Sequence, residues 1–277
     1  DHGRGVPLGW NEKEQRYNWE LVYCEMYAGG KYEKNGSSAY GYSLGTNGLG
    51  ACATQYASEF MTVVSCSNGI RSKMEFERGN PVGELVTEPC ARGLTGTTVR
   101  WKPDYSVFTD ISIPYEFFAD TMHKQAVVNA GLTLVLNFQG EDGEWRRDEF
   151  LYPNGIVDYI NEQVGVNYLT EPVDFSCERR GRDRADQDDY DLLISFAFCF
   201  SNEVNLIEYY HNSSFLEYGG SPEKAAKSAF VYAIDKYLRD SGKYTKNEAK
   251  ISWSDVEDSL VLVTNCFSTE TSYANQT

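Results

Sequence analysis

Apolar positions recur with a period of two in some stretches of this chain and every three to four residues in others, so both strands and helices are predicted. Phe60 to Ser65 reads as a strand. Asn68-Gly69 follows, a dipeptide suited to the left-handed backbone of a two-residue hairpin turn, and Ile70, Ser72, Met74 and Phe76 alternate on the return strand. Thr97 to Trp101 predicts another short strand, Leu132 to Phe138 a more buried one, and Ile194, Phe196, Phe198 and Phe200 a third alternating run. Leu260 to Val263 is the last strand before the polar stretch Ser272 to Thr277. Helical spacing is clearest at Ala225, Ala226, Ala229, Phe230, Ala233, Ile234, Tyr237 and Leu238, with Ser221 as the expected N-cap and Pro222 at the first helical position. Ala51 to Phe60 can form a second helix, while Asn11 to Tyr27 is compatible with helix or loop. Helices mixed with a largely antiparallel sheet define an α+β arrangement, and the length suggests two domains, the second a strand–helix–strand layer.

Composition narrows the function. The hydrophobic content of 41% is enough for a full core, and a formal net charge of -16 argues against a principal DNA-binding surface, since grip on phosphates depends on Lys and Arg. The run Glu178 to Asp191 carries both signs of charge and reads as a solvated loop; contact of the Arg179–Arg184 cluster with nucleic acid is the competing reading, weakened by the neighbouring acids. Seven cysteines, without a CxxC pair or a histidine at ligand spacing, read as reduced thiols. No apolar run is long enough to span a membrane and no signal peptide is visible, so a cytoplasmic protein is expected.

Two glycine-rich segments carry the chemistry. In Asp1-His2-Gly3-Arg4-Gly5 a carboxylate stands beside glycines; ionised Asp can only accept hydrogen bonds, and an adenine amino group can donate one. In Gly45-Thr46-Asn47-Gly48-Leu49-Gly50 a glycine run opens the expected helix from Ala51, where free N–H groups and missing Cβ atoms suit phosphate oxygens. A dinucleotide fingerprint would need a strand directly before the glycines, and Lys34 to Gly41 is instead a polar loop. The glycine turn Ala28-Gly29-Gly30-Lys31 presents one cation, either as solvated surface or as a lid over phosphate. Together the segments describe an ATP pocket.

These segments, with Gly96-Thr97-Thr98 before Pro103-Asp104, Tyr152-Pro153-Asn154-Gly155-Ile156, Glu217-Tyr218-Gly219-Gly220 and Gln276-Thr277, follow the order and spacing of the ATPase region of type IIA DNA topoisomerases. The chain resembles the B subunits of bacterial gyrase and topoisomerase IV over nearly its whole length. It departs at Asn47, where those proteins usually carry histidine, and Gly48-Leu49-Gly50-Ala51 is closer to the eukaryotic enzymes. The resemblance implies an ATP-binding α/β sandwich of the gyrase, chaperone, histidine-kinase and mismatch-repair type over residues 1–160, and a smaller transducer over 161–277. It further implies that Asp1 holds the adenine amine with Thr97 assisting through water, that Gly5, Val6 and Pro7 line the base, that Lys31 and Gly45 to Gly50 hold the triphosphate, and that Arg4 braces the pocket. Partners implied are ATP, Mg²⁺, a topoisomerase A subunit, a second B subunit in an ATP-dependent dimer, and DNA through the intact enzyme.

The chain opens inside a motif without an initiator Met, so the helix that supplies the family's general base and magnesium ligand is expected upstream. The transducer lysine that reaches the γ-phosphate is expected directly after Gln276-Thr277, so these residues alone should bind nucleotide without turning it over. Two other readings stay open: a histidine kinase catalytic domain, which should end soon after the glycine box, and a nucleotide-gated clamp or scaffold of the same superfamily.

Overall fold

A computed structural model describes residues 1–28, 48–182, 184–186 and 188–271. These form two compact units, 1–113 and 114–271.

The first unit opens with a short hairpin, β1 (Trp10–Asn11) and β2 (Arg16–Tyr17), and helix α1 (Asn18–Tyr23), which resolve the ambiguity over Asn11 to Tyr27. Helix α2 (Gly50–Tyr56) leads into β3 (Ser58–Ser67), β4 (Ile70–Glu77), β5 (Asn80–Pro89) and β6 (Gly96–Pro103), an antiparallel sheet in the order β5-β4-β3-β6. The helix expected to reach Phe60 stops at Tyr56, because Ser58 and Phe60 pair with Pro103 and Lys102, and sheet hydrogen bonds replace helical ones. Asn68 (φ 54°) and Gly69 (φ 78°) make the expected turn of left-handed residues. A second turn at Arg78 (φ 46°) and Gly79 (φ 84°) lies beyond the turn expected from the sequence, although Gly79-Asn80-Pro81 are turn-forming residues. Arg78 is held there by its N–H to the Glu59 carbonyl at 3.2 Å and its Nε to Asp104 Oδ2 at 3.1 Å. Alternate residues Met61, Val63, Met74 and Phe76 turn inward onto Leu8 and Tyr23, and the rings of Trp19 and Tyr23 stand 5.9 and 5.8 Å from Phe76.

The second unit begins with α3 (Tyr115–Val128), the hairpin β7 (Leu134–Gln139) and β8 (Trp145–Phe150), and α4 (Ile156–Val164). It continues through β9 (Val173–Gly181), β10 (Tyr190–Phe200), β11 (Leu206–His211), β12 (Ser214–Phe215), α5 (Ser221–Asp240), α6 (Trp253–Glu257) and β13 (Leu260–Ser268). The sheet runs β12-β11-β13-β10-β9, with β11 and β13 parallel and the other neighbours antiparallel. Both faces are covered, which explains the unbroken apolar run Leu260 to Val263. On one face Ala197, Cys199, Val261 and Val263 meet α3 and α4 through Val127, Val128, Ile156, Tyr159 and Ile160. On the other, Leu260 and Leu262, with the half-buried Phe196, Phe198 and Phe200, meet α5 and α6; the rings of Phe198 and Phe230 lie 5.2 Å apart, edge to face. Residues 114–160 therefore share a core with the second sheet, and the division at residue 160 runs through this unit.

Three local expectations are corrected. Leu132 to Phe138 is not a buried strand: β7 belongs to a two-stranded ribbon in which Leu136 is buried and Val135 exposed, because α3 packs against it, with the Tyr115 and Phe138 rings 5.5 Å apart, and covers one face only. Helix α5 starts at Ser221 itself, with Gly220 (φ 131°) in the capping position and no side-chain cap, so Pro222 is one residue further in. Its packed stripe is Ala226, Phe230, Val231 and Ile234, while Ala225, Ala229, Ala233 and Tyr237 face outward. The charged run is no loop throughout: Glu178 to Gly181 lies in β9, paired with Tyr190 to Leu193. Arg180 pairs with Asp191 at 3.4 Å and Arg182 with Asp189 at 2.6 Å, so part of the cluster's positive charge is met locally. All seven cysteines are free thiols, with Cys52 and Cys199 buried.

Candidate nucleotide site

The crossover from β5 to β6 must pass two strands, and the chain does so around the tip of the β3–β4 hairpin, where Cys90 N–H donates to the Gly69 carbonyl at 2.9 Å. It arrives at Gly96, which lies against the segment Asp1 to Pro7. Gly96 has φ 132°, and a Cβ there would sit 2.0 Å from the Asp1 carbonyl oxygen, so no side chain fits. Gly5 (φ 81°) is equally constrained: a Cβ would meet the Cys66 carbonyl oxygen at 2.6 Å and Ser65 Oγ at 2.8 Å.

This close approach fixes the carboxylate. Asp1 Oδ1 accepts from Gly3 N–H at 2.9 Å and Thr97 N–H at 3.1 Å. Thr97 Oγ1 accepts from Val6 N–H at 3.0 Å, which leaves the hydroxyl hydrogen free to donate elsewhere. Ser65 Oγ donates to the Val6 carbonyl at 2.7 Å and completes the frame. Asp1, Arg4, Gly5, Val6, Pro7 and Thr97, separated by up to 96 positions, thus line one cavity of about 500 Å³ together with Gly3 and Ser67. Ser65 and Ser67 were missed; they stand at alternate positions of β3 and carry no signal beyond that spacing.

The rest of the glycine box is placed in part. Gly48 has φ 59°, Leu49 occupies the capping position of α2 without a side-chain cap, and Gly50 begins the helix. These three are not among the residues lining the cavity. Lys31, Gly45, Thr46 and Asn47 lie outside the described residues, as do Gln276 and Thr277. Arg4 lines the cavity and is exposed. Beyond the cavity, Asp104 anchors the end of β6: its N–H donates to the Ala57 carbonyl at 3.0 Å, and its side chain accepts from Ser106 N–H at 2.8 Å and from Arg78. These bonds, the Ser106 amide first, hold its carboxyl below the usual range.

The DNA gyrase B family profile matches residues 155–277. The DNA gyrase B protein of Spiroplasma citri is 28% identical over 288 residues, covering 100% of this chain and 42% of that protein. The B protein of DNA topoisomerase 4 from Bacillus subtilis is 28% identical over 265 residues, covering 94% and 37%. Among solved structures, the 43K ATPase domain of Thermus thermophilus gyrase B superposes with a TM-score of 0.69 at 24% identity, covering 96% of this chain and 65% of that one. The ATP binding domain of Francisella tularensis topoisomerase IV gives 0.73 at 20% identity, covering 100% and 69%.

The fold is therefore the α+β architecture of type II topoisomerase ATPase regions. The chain is similar to the B subunits of DNA gyrase and topoisomerase IV, and it spans less than half the length of the curated relatives it matches.

Proposed function

We propose that this chain is the ATP-binding and transducing portion of a type II DNA topoisomerase, in which binding and hydrolysis of ATP drive passage of one duplex through another. The observation that carries the reading is the Asp1 carboxylate, pinned by the Gly3 and Thr97 amides in a cavity whose wall at Gly5 has no room for a Cβ. Asp1 accepts from the adenine amine and the free hydroxyl hydrogen of Thr97 donates toward the base through water. Gly5, Val6 and Pro7 line the ring and Arg4 braces the pocket mouth. Lys31 and Gly45 to Gly50 hold the triphosphate, and the transducer loop at Gln276-Thr277 senses its γ-phosphate.

Magnesium belongs to the same proposal. A magnesium ion is assigned to the phosphates, with its protein ligand on the helix expected upstream of Asp1. The partners are a topoisomerase A subunit, a second B subunit that joins when ATP binds, and DNA held by the intact enzyme. No helix among the described residues is long and apolar enough to cross a membrane, and a cytoplasmic location is part of the reading.

Calorimetry with ATP and GTP analogues tests the adenine pocket. A guanine carbonyl in place of the amine sets two acceptors face to face, and a site built around such a bond discriminates strongly. Selective binding of ATP is expected; equal affinities would overturn the assignment.

A further inference from the structure

Two helix ends of opposite polarity meet at a second cavity, in the unit formed by residues 114–271. Helix α3, of fourteen residues, ends at Val128 with no basic residue in its last turn. Helix α4, of nine residues, begins at Ile156 with no side-chain cap. Gly155 (φ 66°) lets them approach: a Cβ there would lie 3.1 Å from Ala130 Cβ and 3.2 Å from the Val127 carbonyl oxygen. Asp158, in the first turn of α4, is engaged by Asn154, whose backbone N–H and Nδ2 donate to it at 2.7 and 3.0 Å. A carbonyl-rich end favouring cations thus stands beside an amide-rich end favouring anions.

The sheet supplies the opposite wall. Ser176, Ser195 and Asn265 are directly paired across β9, β10 and β13, so they form one polar row on a single face. Ser176 Oγ and Ser195 Oγ are 2.8 Å apart. Asn265 is 7% exposed, and its Nδ2 donates to the Val128 carbonyl at 2.8 Å, which fixes the amide orientation. Its Oδ1 is buried without a hydrogen-bond partner, a state that costs free energy unless a donor is supplied. Asp174, exposed on β9, adds a carboxylate to the same cavity. The volume is about 170 Å³. That is room for roughly five or six water molecules, or for a ligand of about six heavy atoms.

We infer that this cavity binds a small zwitterion, a free α-amino acid with a short side chain. The ammonium group lies toward Asp174, Asn265 Oδ1 and the α3 carbonyl end, and the carboxylate accepts from the first N–H groups of α4.

The test titrates the full chain with alanine, serine and glycine, and in parallel with methylammonium, acetate and acetamide, following the side-chain amide signals of Asn265 by NMR. Titration to about 50 mM would saturate a site with a Kd on the order of 1 mM. The expected result is saturable binding of the amino acids that shifts the Asn265 amide, with each half-molecule weaker by at least about tenfold. Asp174→Asn, an exposed substitution that leaves the core alone, should weaken alanine by about tenfold or more. No saturation, acetate binding as tightly as alanine (an anion hole only), acetamide doing so (a carboxamide site), or an Asp174→Asn variant of unchanged affinity would each overturn the proposal.

Discussion

Replacing Asp1 by Asn separates recognition from folding at the proposed nucleotide site. In the structure both backbone amides that hold this side chain, Gly3 and Thr97, donate to the single oxygen Oδ1. An asparagine can present its amide oxygen to the same two donors, so the local frame should persist. Its other end changes from an acceptor to an NH₂ donor, which would face the adenine amine donor to donor. The charged hydrogen bond lost is worth about 1.5–3 kcal/mol, or roughly 10- to 150-fold in Kd. An inosine nucleotide, which carries a carbonyl there, gains a partner in the same variant. Calorimetry with ATP and ITP on the two proteins, beside thermal melts, reads both effects: ATP affinity should fall, the preference should move toward ITP, and the melting temperature should change little. An Asp1→Asn protein that binds ATP like the parent would refute the contact. One that unfolds would show that the carboxylate serves the frame instead.

Gly96→Ala places a Cβ 2.0 Å from the Asp1 carbonyl, so it should abolish nucleotide binding and cost more than the roughly 1–3 kcal/mol of backbone strain alone. Gly83→Ala, also left-handed (φ 72°) but in open space, should show the strain without the binding loss; equal behaviour of the two in melts and titrations would count against the close approach. Asp104 ionises below the usual carboxylate range, so its stabilisation is complete above the unfolded value near about pH 4 and is lost as pH falls through the lower folded value. Asp104→Asn should therefore be less stable than the parent at neutral pH, with the gap closing in acid denaturation series toward the lower value; a pH-independent gap would contradict this. Ile160→Ala removes a fully buried side chain between α4 and the second sheet and should cost about 2–5 kcal/mol by urea titration, a loss below about 1 kcal/mol indicating a site able to collapse.

Much of this protein is legible along the chain because the causes are local. The Asn68-Gly69 turn follows from residues that tolerate positive φ, and the β3–β4 hairpin follows from alternation on either side of it. The run Leu260 to Val263 announces a strand, and the alanine-rich spacing after Ser221 announces α5. The glycines around Asp1 likewise point to a backbone brought close to something, since glycine at such positions has a steric reason. What lies far apart in sequence was decided only by the tertiary structure. Thr97 reaches Asp1 because β6 pairs with β3 and its leading Gly96 abuts the first residues, a juxtaposition no local pattern encodes. Ser67 at the cavity and Ser65 behind it, bonded to the Val6 carbonyl, acquire their places from strand register, which alternation alone leaves free to point either way. The outward row Ala225, Ala229 and Ala233 shows the same limit: alanine suits a helix on any face, so helical spacing identified the helix, and only packing against Phe198 and its neighbours chose which side is buried. The grouping of α3 and α4 with the second sheet, and the meeting of their unlike ends beside Asn265, arise from long-range contacts whose partners the sequence does not name.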